Sequence, residues 1–240
     1  MVCRQAAVIA GRPWFDGCFT ALDPTVRIEW NVAEGERVGA GTTLCAIAGA
    51  TRAIVSAERP ALNFLQTLSA TATVAAAYVE AVSGTGARIL DTRKTLPGLR
   101  HAQKYAVRAG GADNHRMGLY DAVLLKENHI AAAGSIAAAA REARRLHPQV
   151  PLIIEVETLD ELDEALATAP DRVLLDDFGI ADMREAVRRS GGRIPLEVSG
   201  GVDLQRVREI AGTGVDCISV GALTKNVHAV DLSLRLLGDD

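Results

Sequence analysis

Lysine is scarce in this chain: of 26 basic residues only Lys94, Lys104, Lys126 and Lys225 are lysine. At a generic surface site arginine and lysine are nearly equivalent, so a lysine kept in an arginine-rich chain marks a place that wants a compact point charge. Aromatic residues make up only 4% and the formal net charge is -4. A nucleic-acid surface, which needs a basic field and stacking rings, is therefore not expected. Long apolar runs are missing too. The longest, VAAAYV at 74–79 and the alanine-rich stretch at 130–140, fall short of the roughly 18 residues a membrane helix needs, so no membrane partner is expected. Cys3, Cys18, Cys45 and Cys217 show no C-x-x-C spacing and read as buried thiols in a reducing compartment. No histidine spacing suggests zinc. The N-terminus, MVCRQAAVIAG, runs into Arg12, Pro13 and Trp14 without a basic start and a sustained apolar core, so the expected location is the cytoplasm.

What is present is an ordinary globular balance, 48% hydrophobic and 23% charged over 240 residues. That length fits one large domain, or a large domain with a small companion. From Ala87 onward, six short apolar runs alternate with helical patterns: RIL at 88–90, AVLL at 122–125, PLIIEV at 151–156, RVLL at 172–175, IPLEV at 194–198 and CISV at 217–220. Repeated βα units of this kind predict a parallel sheet closing toward a barrel. Residues 1–55 read differently. VRIEWNV alternates like a strand, and EGERVGAGTTLCAIAG spaces its glycines like turns of a small antiparallel module. Ser56, Glu58 and Pro60 are expected to open a long alanine-rich helix running to about Val82, with Ser56 as cap and Pro60 in the first turn.

In a parallel barrel all strand C-termini share one face, and that face carries the active site. After the six runs come residues 91–94, Lys126, Glu157, Asp176, residues 199–201 and Gly221. Cations, acids and glycines thus recur at one end. The cationic set is DTRKT at 91–95, NHR at 114–116 and Lys126, a density of positive charge suited to an anionic ligand such as a carboxylate or phosphate; taken alone it also fits a solvated basic loop. The acidic set is Glu155, Glu157, Asp176 and Asp177. Carboxylates beside bound phosphates hold Mg²⁺ or ribose hydroxyls, although Glu155 reads equally as a salt-bridged strand residue. Glycines in SGGVD at 199–203 and VGALT at 220–224 let backbone N–H groups approach an oxyanion, where barrels place their phosphate site. His101 and His147 read as surface or packing residues. His129, close behind Lys126, stays ambiguous.

Read together, these segments resemble the quinolinate phosphoribosyltransferase family. The motifs that carry the resemblance are ERPALNFLQTLSATAT, DTRKTLPGLRHAQKYAV, GGADNHRMGLYDAVLLKENHI, EVETLDEL, VLLDDF, LEVSGGV and TGVDCISVGALTKNVHAVDLSL. The resemblance implies an α/β fold in which an incomplete parallel βα barrel at 87–225 follows a small N-terminal α/β sandwich domain and linking helix at 1–86, with a C-terminal helix at 226–240 packing back on the N-terminal domain. It implies a homodimer in which Arg59 reaches the neighbour's site. Arg93, Lys94, His115, Arg116 and Lys126 would bind quinolinate carboxylates and diphosphate, and Thr92 belongs to the same substrate-facing triplet. Glu157 and Asp176 would serve ribose and Mg²⁺. Ser199, Gly200, Gly201 and Gly221 would cradle the 5′-phosphate.

The implied reaction joins quinolinate to phosphoribosyl diphosphate with decarboxylation, giving nicotinate mononucleotide, diphosphate and CO₂ in NAD biosynthesis. Lys94, Lys126, Glu157 and Asp176 would carry it. A Schiff-base role for Lys126 fits its crowded cationic context less well than charge complementarity. The family usually begins with a further segment of roughly 40 residues, large for a small domain, and the resemblance starts after it, so a truncated sandwich is expected. Ala112, Glu127 and Asp177 replace the family's usual Gly, Asp and Asn; the last adds negative charge near Asp176. Weakened rather than abolished activity is the expectation. Two alternatives stand beside it: a related type II phosphoribosyltransferase acting on nicotinate or another base, and a non-catalytic barrel kept for binding.

Overall fold

A computed structural model describes residues 1–236. Along the first part of the chain come β1 (Val2–Cys3), β2 (Ala7–Val8), α1 (Arg12–Thr20), β3 (Arg27–Trp30), β4 (Arg37–Val38), β5 (Cys45–Ala48) and α2 (Thr51–Ala81). Then follow β6 (Arg88–Leu90), α3 (Arg100–Ala109), β7 (Val123–Leu125), α4 (Glu127–Ala133), α5 (Ile136–Leu146), β8 (Leu152–Val156), α6 (Leu159–Ala167) and β9 (Arg172–Asp176). The chain ends with α7 (Ile180–Ser190), β10 (Leu196–Ser199), α8 (Val207–Ala211), β11 (Cys217–Ser219), α9 (Ala222–Lys225) and β12 (Leu232–Ser233). No helix among the described residues is long and apolar enough to cross a membrane.

The chain divides into two compact units. The first holds Met1–Ala77, Thr95–Ala112 and Ala222–Asp240, and the second holds Tyr78–Lys94 and Asp113–Gly221. Helix α3 therefore belongs to the first unit, although its place in the chain lies between two barrel strands.

The first unit is built from three antiparallel pairs, β1 with β12, β2 with β4 and β3 with β5, and from α1, α3 and most of α2. Phe15, Phe19, Ile9, Leu44 and Leu65 are fully buried in its core. Two expectations change here. Helix α2 begins at Thr51, not Ser56, with Ala53 and Ile54 donating to the Ala50 carbonyl, so Pro60 lies inside it. The reason is tertiary: Ile54, Ala57, Ala61 and Leu65 recur at helical spacing and are all buried, and that burial outweighs the local cap signal. The second change is at the C-terminus. The part of 226–240 that is described contains no helix; β12 pairs with β1, matching Val2 with Ser233 and Cys3 with Leu232. Val230, Leu232 and Leu234 alternate with polar residues, and period two specifies a strand. Residues 237–240 of the expected helix lie outside the described residues.

The second unit is a six-stranded parallel sheet in the order β6-β11-β10-β9-β8-β7. Each of the six expected runs forms a strand. The cyclic order wraps the sheet into an incomplete barrel with a seam between its edges, β6 and β7. Residues just past α3 begin to fill that seam: Leu90 and Asp113 form a parallel bridge. Leu152, Ile154, Val156, Leu175, Leu196 and Val198 are buried to within 2%, as expected where a parallel sheet is covered on both faces.

Candidate active site

Because all six strands run the same way, their C-terminal ends deliver residues 91–94, Lys126, Glu155 to Glu157, Asp176, Ser199 and Gly221 to one rim of the second unit. The seam segment supplies the rest. Fully buried Asp91 accepts the His115 backbone N–H at 2.9 Å and the Asn114 side-chain amide at 2.5 Å. Those bonds fasten residues 114–116, which have no regular secondary structure, beside the end of β6.

Arg116 crosses toward β7, donating from Nη1 to the Ala122 carbonyl at 3.0 Å. Burial and the nearby positive charge of Arg93 pull its guanidinium below the ordinary arginine value, against the pull of Asp121 and Glu155. Two guanidinium groups are thus held close enough to repel each other, an arrangement that an anion between them would relieve.

Next along the rim, the Lys126 ammonium sits 2.8 and 2.7 Å from the two oxygens of Glu155. Burial pushes the Glu155 carboxyl up, Lys126 opposes the shift, and Asp176 and Glu127 add to it. The Lys126 backbone N–H donates to His129 Nδ1 at 3.1 Å, which gives that histidine a local role at the start of α4.

Two glycines allow close approach. Gly200 has φ +89°, and a Cβ there would lie 2.0 Å from Asp177 Oδ1. A Cβ at Gly221 would lie 3.1 Å from Lys94 Cδ and 3.6 Å from Thr92 Oγ1, so Lys94 and Thr92 stand over that glycine. Ser199 joins the acidic side through its hydroxyl, which donates to Asp176 Oδ1 at 2.5 Å. Asp177 is one of only two non-glycine residues with positive φ among the described residues, at 53°, a conformation that aspartate tolerates better than most.

Arg93, Lys94, His115, Arg116, Lys126, Asp176, Ser199, Gly200, Gly201 and Gly221 therefore all lie at or beside this rim. Glu157 is exposed beyond β8 and faces another hollow of about 290 Å³, which it lines with Thr158, Asp160, Asp177, Phe178 and Asp182. Arg59 is exposed on α2 in the first unit. His115 differs from its neighbours, since its side chain is only 8% exposed and Nδ1 accepts the Arg116 backbone N–H at 2.7 Å. The sequence alone gives no role to Asp91 or Glu197, and leaves two open for Glu155. Each is an acid on or at the end of an apolar run, and that placement was the available signal. Among the described residues, no group of three or more His, Cys, Asp or Glu side chains could hold a metal ion.

Residues 71–235 match the family model described as quinolinate phosphoribosyl transferase, C-terminal domain, and residues 1–69 match the model for its N-terminal domain. The chain belongs to the quinolinate phosphoribosyltransferase family. A family relative is the nicotinate-nucleotide pyrophosphorylase [carboxylating] of Mycobacterium leprae, 45% identical over 244 residues covering 98% of this chain and 85% of the relative. Another is the quinolinate phosphoribosyltransferase [decarboxylating] 1 of Nicotiana glauca, 38% identical, covering 98% of this chain and 72% of the relative. In three dimensions, the nicotinate-nucleotide pyrophosphorylase of Francisella tularensis superposes with a TM-score of 0.95 at 45% identity, covering 97% of this chain and 83% of that one.

Proposed function

We propose that this family member transfers the phosphoribosyl group of phosphoribosyl diphosphate to the ring nitrogen of quinolinate and releases CO₂, leaving nicotinate mononucleotide and diphosphate. The observation that carries the reading is the repelling pair Arg93 and Arg116 beside the Lys126–Glu155 pair, on the strand-end rim of a chain 45% identical to a carboxylating nicotinate-nucleotide pyrophosphorylase. A pyridine diacid brings negative charge to the two neighbouring guanidinium groups. Its carboxylates accept from Arg93, Arg116 and Lys126, while Lys94 and Thr92 above Gly221, with the Ser199, Gly200 and Gly201 turn, take the phosphates.

The chemistry needs no covalent nucleophile. The ring nitrogen's lone pair forms the bond to C1 of ribose as the C1–O bond breaks, and that electron pair leaves with diphosphate. Positive charge grows on the sugar carbon, and cations aimed at the departing diphosphate lower the barrier. Once the ring nitrogen is cationic, the neighbouring carboxylate departs as CO₂; its bonding pair stays on the ring carbon beside the positive charge and takes up a proton from solvent.

Mg²⁺ is usually bound through one or two carboxylates with waters and substrate phosphates rather than a protein cage; Asp176 on the rim suits that mode, whereas Glu157 lines the other hollow. When bound, the ion would neutralise charge developing on the leaving group. Asp176, held by the Ser199 hydroxyl, is oriented for this ion or for the ribose hydroxyls. Arg59, exposed on α2, completes the quinolinate site of a second copy in a homodimer. The setting is the cytoplasm, where the four free thiols stay reduced.

Incubating the protein with quinolinate, phosphoribosyl diphosphate and Mg²⁺, and assaying nicotinate mononucleotide and CO₂, tests this reading. Both products are expected. A nucleotide made from nicotinate without CO₂ would assign a different base, and no product at all would leave a binding protein.

A further inference from the structure

We propose that Glu197 is a positioning residue for this reaction: through His115 it fixes where the Arg116 guanidinium stands. The inference rests on the proposed quinolinate reaction and extends it to a residue that touches no substrate. Glu197 sits within β10 and is fully buried. A side chain needed only to fill the barrel would be apolar, because burying an ionised carboxylate costs several kcal/mol unless it is well paired.

Its partners come from three places. Arg172, at the start of β9, donates from Nη1 to Oε2 at 2.7 Å. The Ser219 hydroxyl, at the end of β11, donates to Oε1. His115 Nε2 lies 3.4 Å from the same oxygen, longer than an ordinary N–H···O bond but within strong electrostatic reach in a dry interior. Burial pushes the Glu197 carboxyl up, and His115, Ser219 and Arg172 together outweigh it, so the group is held ionised.

The His115 ring then has one sensible neutral form. Nδ1 accepts the backbone N–H of Arg116 at 2.7 Å, so the ring proton belongs on Nε2, facing Glu197. Residues 114–116 are irregular backbone and are held at two levels, by Asp91 on the His115 amide and by Glu197 on the His115 ring. Arg116 leaves that anchored point and reaches the Ala122 carbonyl, which brings it beside Arg93. Without the Glu197 charge the Nε2 side of the ring loses its anchor, the ring can turn, and Arg116 then loses the Nδ1 acceptor that sets its backbone.

The experiment is Glu197→Gln, which keeps the volume and removes the charge, together with His115→Ala and the double variant. The KM for quinolinate is expected to rise about tenfold, the order lost with a hydrogen bond to a charged group, while the KM for phosphoribosyl diphosphate stays within about twofold. The double variant is expected to lose no more than His115→Ala alone, since the two residues act in series. An unchanged quinolinate KM with a lowered melting temperature makes Glu197 a structural residue and overturns the proposal, as do additive losses. Nitrogen NMR of His115 in the unaltered protein, followed over pH until the neutral ring is seen, needs neither the variants nor turnover. The Nε2–H tautomer is expected, and the Nδ1–H tautomer overturns the proposal even if Glu197→Gln fails to fold. Failure of the unaltered protein to make nicotinate mononucleotide is a separate result, which defeats the reaction and leaves the tautomer measurement standing.

Discussion

Replacing Arg116 with methionine separates binding from folding in this site. The native side chain gives the fold one hydrogen bond, to the Ala122 carbonyl, worth about 1 kcal/mol net. Its repulsion from Arg93 and its attraction to Asp121 and Glu155 work against each other; methionine removes both, while keeping much of the apolar volume of the stem. That leaves chiefly the one hydrogen bond, so the free protein is expected to stay within about 1 kcal/mol of its original stability, a melting shift under about 4 °C. Function is a different matter. A forked, charge-assisted contact to a substrate carboxylate contributes about 2–3 kcal/mol, so kcat/KM for quinolinate is expected to fall about 30- to 150-fold, with little change in the KM for phosphoribosyl diphosphate. Thermal melting in the absence of substrate and steady-state kinetics with each substrate varied in turn measure both. A drop in kcat/KM below threefold, or a variant that unfolds, would refute the view that Arg93 and Arg116 are held together for an anion.

Lys126→Met strands the buried Glu155 carboxylate and is expected to cost about 3–5 kcal/mol, as measured by denaturant unfolding. The Glu155 carboxyl already sits above its usual value, so its contribution to stability is fully present below the unfolded value and is lost as pH rises through the folded one. Without the opposing ammonium the folded value rises further, and melting temperatures from about pH 4 to 8 are expected to place that loss at higher pH in the variant. Gly200→Ala puts a Cβ against Asp177 Oδ1 at φ +89° and is expected to raise the KM for phosphoribosyl diphosphate at least tenfold; an unchanged KM would remove this turn from the phosphate site. Asp177→Asn removes one negative charge beside the same turn without changing its shape, and is expected to lower that KM by about two- to fivefold, less so at high salt.

The six strands could be read from the chain because short aliphatic runs, spaced by helical patterns, have few other ways to bury themselves. The start of α2 and the fate of the C-terminus could not, since both depend on partners far away in sequence: Ile54 and Ala57 gain their place in a helix from the core of the first unit, and residues 232–233 become a strand because β1 is there to pair with. In the site, the shared direction of the strands was enough to bring Arg93, Lys126 and Asp176 to one rim. Pairings were not legible. Nothing in the run LIIEV tells that Glu155 takes Lys126 with both oxygens, or in LEVSGG that Glu197 will meet His115 and Arg172 across the barrel. Alternation indicates which way a side chain points, and closure of the sheet decides what it finds there.

The most direct test of the account is to supply quinolinate labelled at the carboxyl group next to the ring nitrogen, together with phosphoribosyl diphosphate and Mg²⁺, and to follow label, nucleotide and diphosphate at once. The account predicts labelled CO₂, nicotinate mononucleotide and diphosphate in equal amounts, with no CO₂ when the sugar diphosphate is withheld. Label retained in the nucleotide, or diphosphate formed without any nucleotide, would contradict it.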